Sequence, residues 1–224
     1  MIALAVILSA VAGYLLGSIM FSLLISNLRG IDIRHYGSGN AGFTNVLRVM
    51  GWKWGLLTFV GDFAKSVLAT FLGFWIAKWL GDTLITINYM DMQLSELCMY
   101  VGGLSALIGH TLPLYFGFKG GKGITTTAGS LLCICPVITV VAFGIALIIM
   151  LLTKTVSVGS LIGVVLLVTL VLIYHWGKLP LMIFMGLILI TTWYSHRANI
   201  KRIVEGNENQ LAETKWEEED IGKK

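Results

Sequence analysis

Residues Ile124 to Leu152 read "ITTTAGSLLCICPVITVVAFGIALIIMLL", 29 residues without a charged side chain. A helix needs about 20 apolar residues to cross a hydrocarbon core of roughly 30 Å. The stretch is therefore long for one span and short for two. Pro136 lacks an amide hydrogen and crowds the preceding turn, so a break near Cys135 is expected. The break decides the fold, because it sets the side of the membrane on which Lys154 and everything after it must lie.

Working outward, further apolar runs occur at Ile2 to Ser26, Trp54 to Leu80, Gln93 to Leu112, Val156 to Tyr174 and Leu181 to Tyr194. With 56% hydrophobic and 12% charged residues and a mean hydropathy of +0.84, the chain cannot cover a soluble globule of its size with polar surface. It reads as an integral membrane protein. Helices are expected, since lipid-exposed backbone must satisfy its own hydrogen bonds and barrel-like alternation is absent. Although Ala10-Val11-Ala12 resembles a signal cleavage site, no Lys or Arg precedes it, while Arg29 and Arg34 follow. That order predicts a retained first helix with its N-terminus outside. The three cysteines, Cys98, Cys133 and Cys135, sit in apolar surroundings and read as packing residues.

Charge then orders the connections. Asn27 to Lys53 carries Arg29, Arg34, Arg48 and Lys53 and is placed inside. Gly81 to Glu96, with acidic residues and no Lys or Arg, is placed outside. Lys119 and Lys122 fall inside again. If Ile124 to Leu152 were one span, Lys154 and the basic C-terminal segment would face outward. Two helices broken at Pro136, at least one of them short, remove the conflict. The expected fold is therefore an all-α polytopic membrane protein of seven helical segments with a short broken hairpin, N-terminus out and C-terminus in. Thirteen of the sixteen Lys and Arg residues then lie inside. One membrane-embedded domain is expected over residues 1–208. The segment 209–224, polar and charged, is expected to be a mobile or surface-lying tail.

Four of the inside-facing segments have anion-friendly composition. In "YGSGNAGFTNVLR" (Tyr36 to Arg48), Gly37, Gly39 and Gly42 alternate with Ser38, Asn40, Thr44 and Asn45. Glycines allow tight turns and close approach of backbone amides, so the segment can wrap a phosphate; it can equally be a polar loop before an interfacial amphipathic helix. In "FGFKGGKGITT" (Phe116 to Thr126), Gly120, Gly121 and Gly123 surround Lys119 and Lys122. A nucleotide P-loop would need Gly at the place of Phe116 and Ser or Thr at the place of Gly123. What remains is a glycine turn feeding a helix N-terminus, where free amides and the helix dipole favour an anion. "TKTVSVGS" sets Ser157 and Ser160 at a helix start, with Thr155 or Ser157 as a candidate cap. "SHRANIKRIVEGNE" puts His196 and Asn199 on one helical face and Arg197 and Lys201 on another; alone, it would suggest contact with anionic lipid. Within a span, Asp62 and Lys65 are three apart and can pair, for function or for packing alone. No metal-ligating cluster is evident, and no carboxylate pair accompanies these segments, which disfavours magnesium-dependent phosphoryl chemistry.

In their order, "GSGNAGFTNVLR", "GHTLPLYFGFKGGKG", "VSVGS" and "HRANIKRIVEGNE" resemble the motifs of the bacterial acyl-phosphate-dependent glycerol-3-phosphate acyltransferase family. The resemblance covers roughly residues 1 to 208. It implies a seven-helix, multi-pass enzyme of the bacterial cytoplasmic (inner) membrane, active site facing the cytosol, that makes lysophosphatidic acid. Glycerol 3-phosphate, acyl phosphate and membrane lipid are the implied partners. No cofactor or metal and no nucleic acid is expected, and a monomer is expected. Ser38, Arg48, Lys119, His196 and Asn199 are carried over as the catalytic set. Gly39, Asn40, Thr44, Asn45, Gly120, Gly121, Lys122, Gly123 and Ser157 are carried over as substrate-binding residues. Ala41 and Phe43 stand where the family pattern would have Pro and Ala, which puts the local backbone geometry in question.

On this reading Arg48, Lys119, His196 and Asn199 hold the phosphate of glycerol 3-phosphate. Thr44, Ser157, Lys122 and the amides of the glycine turn hold the acyl phosphate head. The proton acceptor stays open between His196 and a substrate phosphate oxygen. Ser38 is open between nucleophile and hydrogen-bond donor, direct transfer being preferred. The short helices around Pro136 are expected to form the acyl groove. The main rival is a transporter of phosphorylated metabolites, which would place its binding groups near the bilayer midplane.

Overall fold

The computed structural model describes residues 1–87 and 89–210. Most of the segment expected as a tail, 211–224, lies outside the described residues. The first apolar run folds as two helices, α1 (Ile2–Gly17) and α2 (Phe21–Leu28), rather than one. Ser18 Oγ donates to the Tyr14 carbonyl at 2.8 Å, a back-bond that bends helices, and Met20 adopts an extended conformation before α2 starts. α3 (Phe43–Met50) and the 28-residue α4 (Trp52–Trp79) meet at Gly51, whose φ of 88° only glycine adopts without strain.

The connection expected outside contains an antiparallel hairpin that the helical reading did not anticipate. β1 (Leu84–Ile87) pairs with β2 (Met90–Gln93), Leu84 opposite Gln93 and Ile87 opposite Met90. α5 (Leu94–Thr111) follows directly.

The stretch at Pro136 breaks as its sequence predicts. α6 (Ile124–Ile134) ends one residue short of Cys135, and α7 (Pro136–Thr153) begins on the proline, where the missing amide costs nothing. With 11 residues, α6 spans about 16 Å and cannot cross a bilayer. α8 (Val156–Tyr174) and α9 (Leu179–Ser195) complete the bundle, and α10 (Arg197–Val204) leaves α9 at a bend of 58°. Among the described residues, five segments are long and apolar enough to cross a membrane: the α1–α2 run, α4, the α5 region, α7 and α8. The bent α9–α10 pair is a sixth and the short α6 a seventh, so the seven-segment all-α fold is the one found.

Lipid offers apolar side chains no reason to leave it, so helix association rests on close packing of small residues. α1 and α5 cross where Gly17 meets Ala106; a Cβ on Gly17 would overlap the Ala106 backbone. α4 packs on α1, α5 and α6, and α7 on α8. A second core lies under the polar end, where Met20, Leu23, Ile33, Val46 and Val49 are buried together. It anchors the glycine loop and α3 against the membrane helices. Outward faces stay apolar: Leu68, Val137, Ile148 and Ile190 are exposed, as lipid contact requires.

Candidate active site

The glycine loop owes its shape to Asn45. Its amide donates to the carbonyls of Ile33 (3.1 Å) and Tyr36 (2.9 Å), and its Oδ1 accepts from the Ser38 amide at 2.9 Å. Gly37 and Gly39 take the left-handed conformations that close the turn. Asn45, expected among the substrate-binding residues, thus turns its side chain onto the loop and braces it. Ser38, Asn40, Thr44 and, from α3, Arg48 face a shared cavity.

The second glycine turn is also tied down. The amides of Gly120 and Gly121 donate to the carbonyls of Thr111 (3.3 Å) and His110 (3.1 Å), the last residues of α5. This corrects the expectation that the amides of the turn hold an anion, because those two are already spent closing the preceding helix. The anion-friendly amides are instead those of the first turn of α6, which lack intrahelical partners by construction. α6 begins at the cavity, where Gly123, Ile124 and Thr125 line the wall. Lys122 lines it too, whereas Lys119 is exposed and lines an adjoining outer groove with Gly39, Gly120 and Gly121. Ser38, Asn40, Lys122 and Asn199 belong to both.

From the far end of the chain, Ser157 of α8, His196 at the α9–α10 bend and Asn199 of α10 reach the same cavity. Ser157 Oγ is buried without a hydrogen-bond partner among the described residues; Thr155 is the N-terminal cap of α8 but makes no side-chain capping bond. Nδ1 of His196 lies 2.8 Å from the Thr192 carbonyl, which directs Nε2 away from α9. Burial pushes the Lys122 ammonium down to about 8; Glu208 opposes this, and Arg202 and Arg48 reinforce it.

Three cavity groups were not expected there. Glu208 accepts from Asn199 Nδ2 at 2.7 Å and from Arg202 Nε at 3.1 Å, so a carboxylate stands among the cations. Asp62 and His110 also line the wall. The juxtamembrane basic cluster is partly engaged within the protein: Arg197 stacks over Tyr194 at 4.3 Å and Lys201 lies 3.8 Å from Glu205.

Beside the polar cavity runs an apolar groove between α4, α6, α7 and α8, lined by Phe59, Phe63, Ala128, Leu132, Phe143 and Ala146 among others. The two spaces meet at Phe43, Ile124, Thr125, Val156 and Ser160. A phosphate-sized polar site opening into a hydrocarbon slot can hold a molecule with an anionic head and an aliphatic tail.

The family model described as glycerol-3-phosphate acyltransferase matches residues 7–206. The chain belongs to this family. It is 38% identical to the glycerol-3-phosphate acyltransferase of Chlorobaculum tepidum, over 90% of this chain and 94% of that protein. Its identity to the Clostridioides difficile protein of the same name is 36%, over 93% and 97%. Among solved structures it is similar to PlsY (YgiH), an integral membrane glycerol 3-phosphate acyltransferase, in its glycerol 3-phosphate form (TM-score 0.78, 32% identity, 92% of this chain and 94% of that one). The lysophosphatidic acid form of that protein aligns with a TM-score of 0.76. This acyltransferase is thus an integral membrane enzyme by family, composition and fold alike.

Proposed function

We propose that this acyltransferase moves a fatty acyl group from an acyl phosphate to the 1-hydroxyl of glycerol 3-phosphate, releasing lysophosphatidic acid and inorganic phosphate. The observation that carries the reading is the junction at Ile124, Thr125 and Ser160, where the cationic cavity opens into the apolar groove. The acyl phosphate head sits at the α6 N-terminus beside Thr44, Lys122 and Ser157, and its tail follows the groove. Glycerol 3-phosphate enters through the outer groove past Lys119, and its phosphate is held by Arg48, Lys122, His196 and Asn199. Ser38 donates a hydrogen bond to the acceptor.

The chemistry needs little more. A mixed anhydride is already activated, so alignment and charge compensation are what the protein supplies. The 1-oxygen attacks the acyl carbon, the bond from that carbon to the phosphate oxygen breaks, and phosphate departs with the electron pair. The hydroxyl proton passes to His196 or to a phosphate oxygen. The site faces the cytosolic side of a bacterial cytoplasmic membrane, with the N-terminus outside, and the product is delivered into the adjacent leaflet.

The decisive assay gives purified protein in detergent radiolabelled glycerol 3-phosphate with palmitoyl phosphate, palmitoyl-CoA or palmitoyl-acyl carrier protein as donor. Labelled lipid with stoichiometric phosphate release from palmitoyl phosphate alone is expected. Equal or better transfer from either thioester overturns the donor assignment, and uptake seen only in sealed vesicles would point to transport.

A further inference from the structure

The charged pair inside α4 is not a pair but part of a trio. Lys65 Nζ lies 2.9 Å from Asp62 Oδ1, 3.0 Å from His110 Nδ1 and 2.5 Å from the Ile19 carbonyl, which the break between α1 and α2 leaves open. All three side chains are buried. The ammonium donates to the Ile19 carbonyl, contacts His110 Nδ1 at hydrogen-bond distance and is ion-paired with Asp62.

That geometry favours one imidazole tautomer. Nδ1 lies 3.0 Å from Lys65 Nζ and 3.6 Å from Asp62 Oδ1, so a charged Lys65, the nearer partner, makes Nδ1 the acceptor and puts the ring proton on Nε2. Nε2 faces the second glycine turn: a Cβ on Gly121 would overlap it, so only glycine leaves the ring its place. The ring lines the polar cavity, and Asp62 offsets the Lys65 charge, so the ring is presented as a neutral donor rather than as a cation. The cavity that the ring lines opens into the apolar groove at Ile124, Thr125 and Ser160.

We propose that Lys65 and Asp62 are positioning residues that hold His110 as a neutral Nε2–H donor to an oxygen of the acyl donor's anhydride head, where charge grows as the acyl carbon is attacked. The proposal rests on the acyl phosphate reading and adds to it a group deep in the membrane helices. A donor fixed before the reaction begins needs no reorganisation when charge develops, and the low-dielectric surroundings strengthen its effect.

The test is nitrogen NMR on the full-length protein in detergent with its four histidines labelled with nitrogen-15, the His110 signals being assigned by their loss in His110→Gln. The expected spectrum has an unprotonated Nδ1 and a protonated Nε2; a protonated Nδ1, with or without a proton on Nε2, overturns the proposal whether or not any variant folds. Lys65→Met should shift His110 toward the other tautomer and lower kcat with palmitoyl phosphate by about tenfold or more, with the KM for glycerol 3-phosphate little changed. A role in packing alone would leave both tautomer and kcat per folded molecule where they were, and that result also overturns it. His110→Phe should lose about a hundredfold in kcat, and His110→Gln, which sets an amide N–H near the place of Nε2–H, should recover about tenfold of that loss; a Gln variant no better than Phe counts against the proposal. Wild-type protein inactive with palmitoyl phosphate would sink the donor assignment and leave the spectral result standing.

Discussion

Asn199 hands its amide hydrogen to Glu208 at 2.7 Å, nine residues along the chain and inside the cavity that Arg48 and Lys122 also line. The carboxylate also accepts from Arg202, so it ties α10 to the segment that follows and aims the Asn199 amide. Glu208→Ala leaves a buried amide without its acceptor, which costs about 1–3 kcal/mol. Glu208→Gln keeps an oxygen for Asn199 and loses only the ion pair. The thermal midpoint of the purified protein should fall in the order wild type, Gln, Ala, and an Ala variant as stable as wild type would refute the bracing role.

Ser157 offers the opposite case. Its hydroxyl is buried with no hydrogen-bond partner among the described residues, so its desolvation is a cost that a bound substrate can recover. Ser157→Ala should leave the thermal midpoint unchanged or slightly raised while lowering kcat/KM for the acyl donor by about ten- to a hundredfold. Initial rates at varied donor concentration, set beside a melting curve, check both halves.

Much of this architecture is legible in the sequence because it follows from one-residue physics. Pro136 breaks its stretch where a missing amide must, and long apolar runs become membrane helices because nothing else satisfies their backbone. Pairwise relations are harder to see. The break after Gly17 has no proline to announce it and is held by Leu114, whose amide donates to Ser18 at 3.2 Å from 96 residues away. Lys119 and Lys122 look equivalent in their motif, yet both line the outer groove and only Lys122 also reaches the inner cavity. His110 meets Lys65 across 45 residues, a contact that periodicity cannot reveal. The hairpin at Leu84–Ile87 had a local signal in its β-branched run, which the charge-based reading of that loop passed over.

With Lys122 binding substrate phosphate as proposed, catalysis should be sensitive to alkaline pH. Its ammonium is held down to about 8, first by burial, so the charge that attracts phosphate is present below that value and is lost above it. In the free enzyme kcat/KM should therefore fall as pH rises through about 8. Lys122→Arg keeps its charge throughout this range and should flatten that limb. Lys122→Ala should lose about a hundredfold or more at pH 7 and show no such limb. Profiles from pH 6 to 9.5 that superimpose for wild type and Lys122→Arg would assign the limb to another group.

The acyl groove predicts a length filter. Ala128 on α6 and Ala146 on α7 face the same slot as Phe59 and Phe143, and small side chains there keep it open between helices that otherwise pack closely. Leu132→Trp places an indole in the path of the chain about 12 Å along α6 from the polar junction at Ile124. Each methylene kept out of an apolar environment forfeits about 0.8 kcal/mol, so the loss should grow with donor length. Octanoyl phosphate, whose tail ends sooner, should be used by the variant nearly as well as by wild type, while palmitoyl phosphate should lose about ten- to a hundredfold in kcat/KM. If both donors fall together, the indole has disturbed the polar cavity instead, and the groove between α6 and α7 is not the path of the tail.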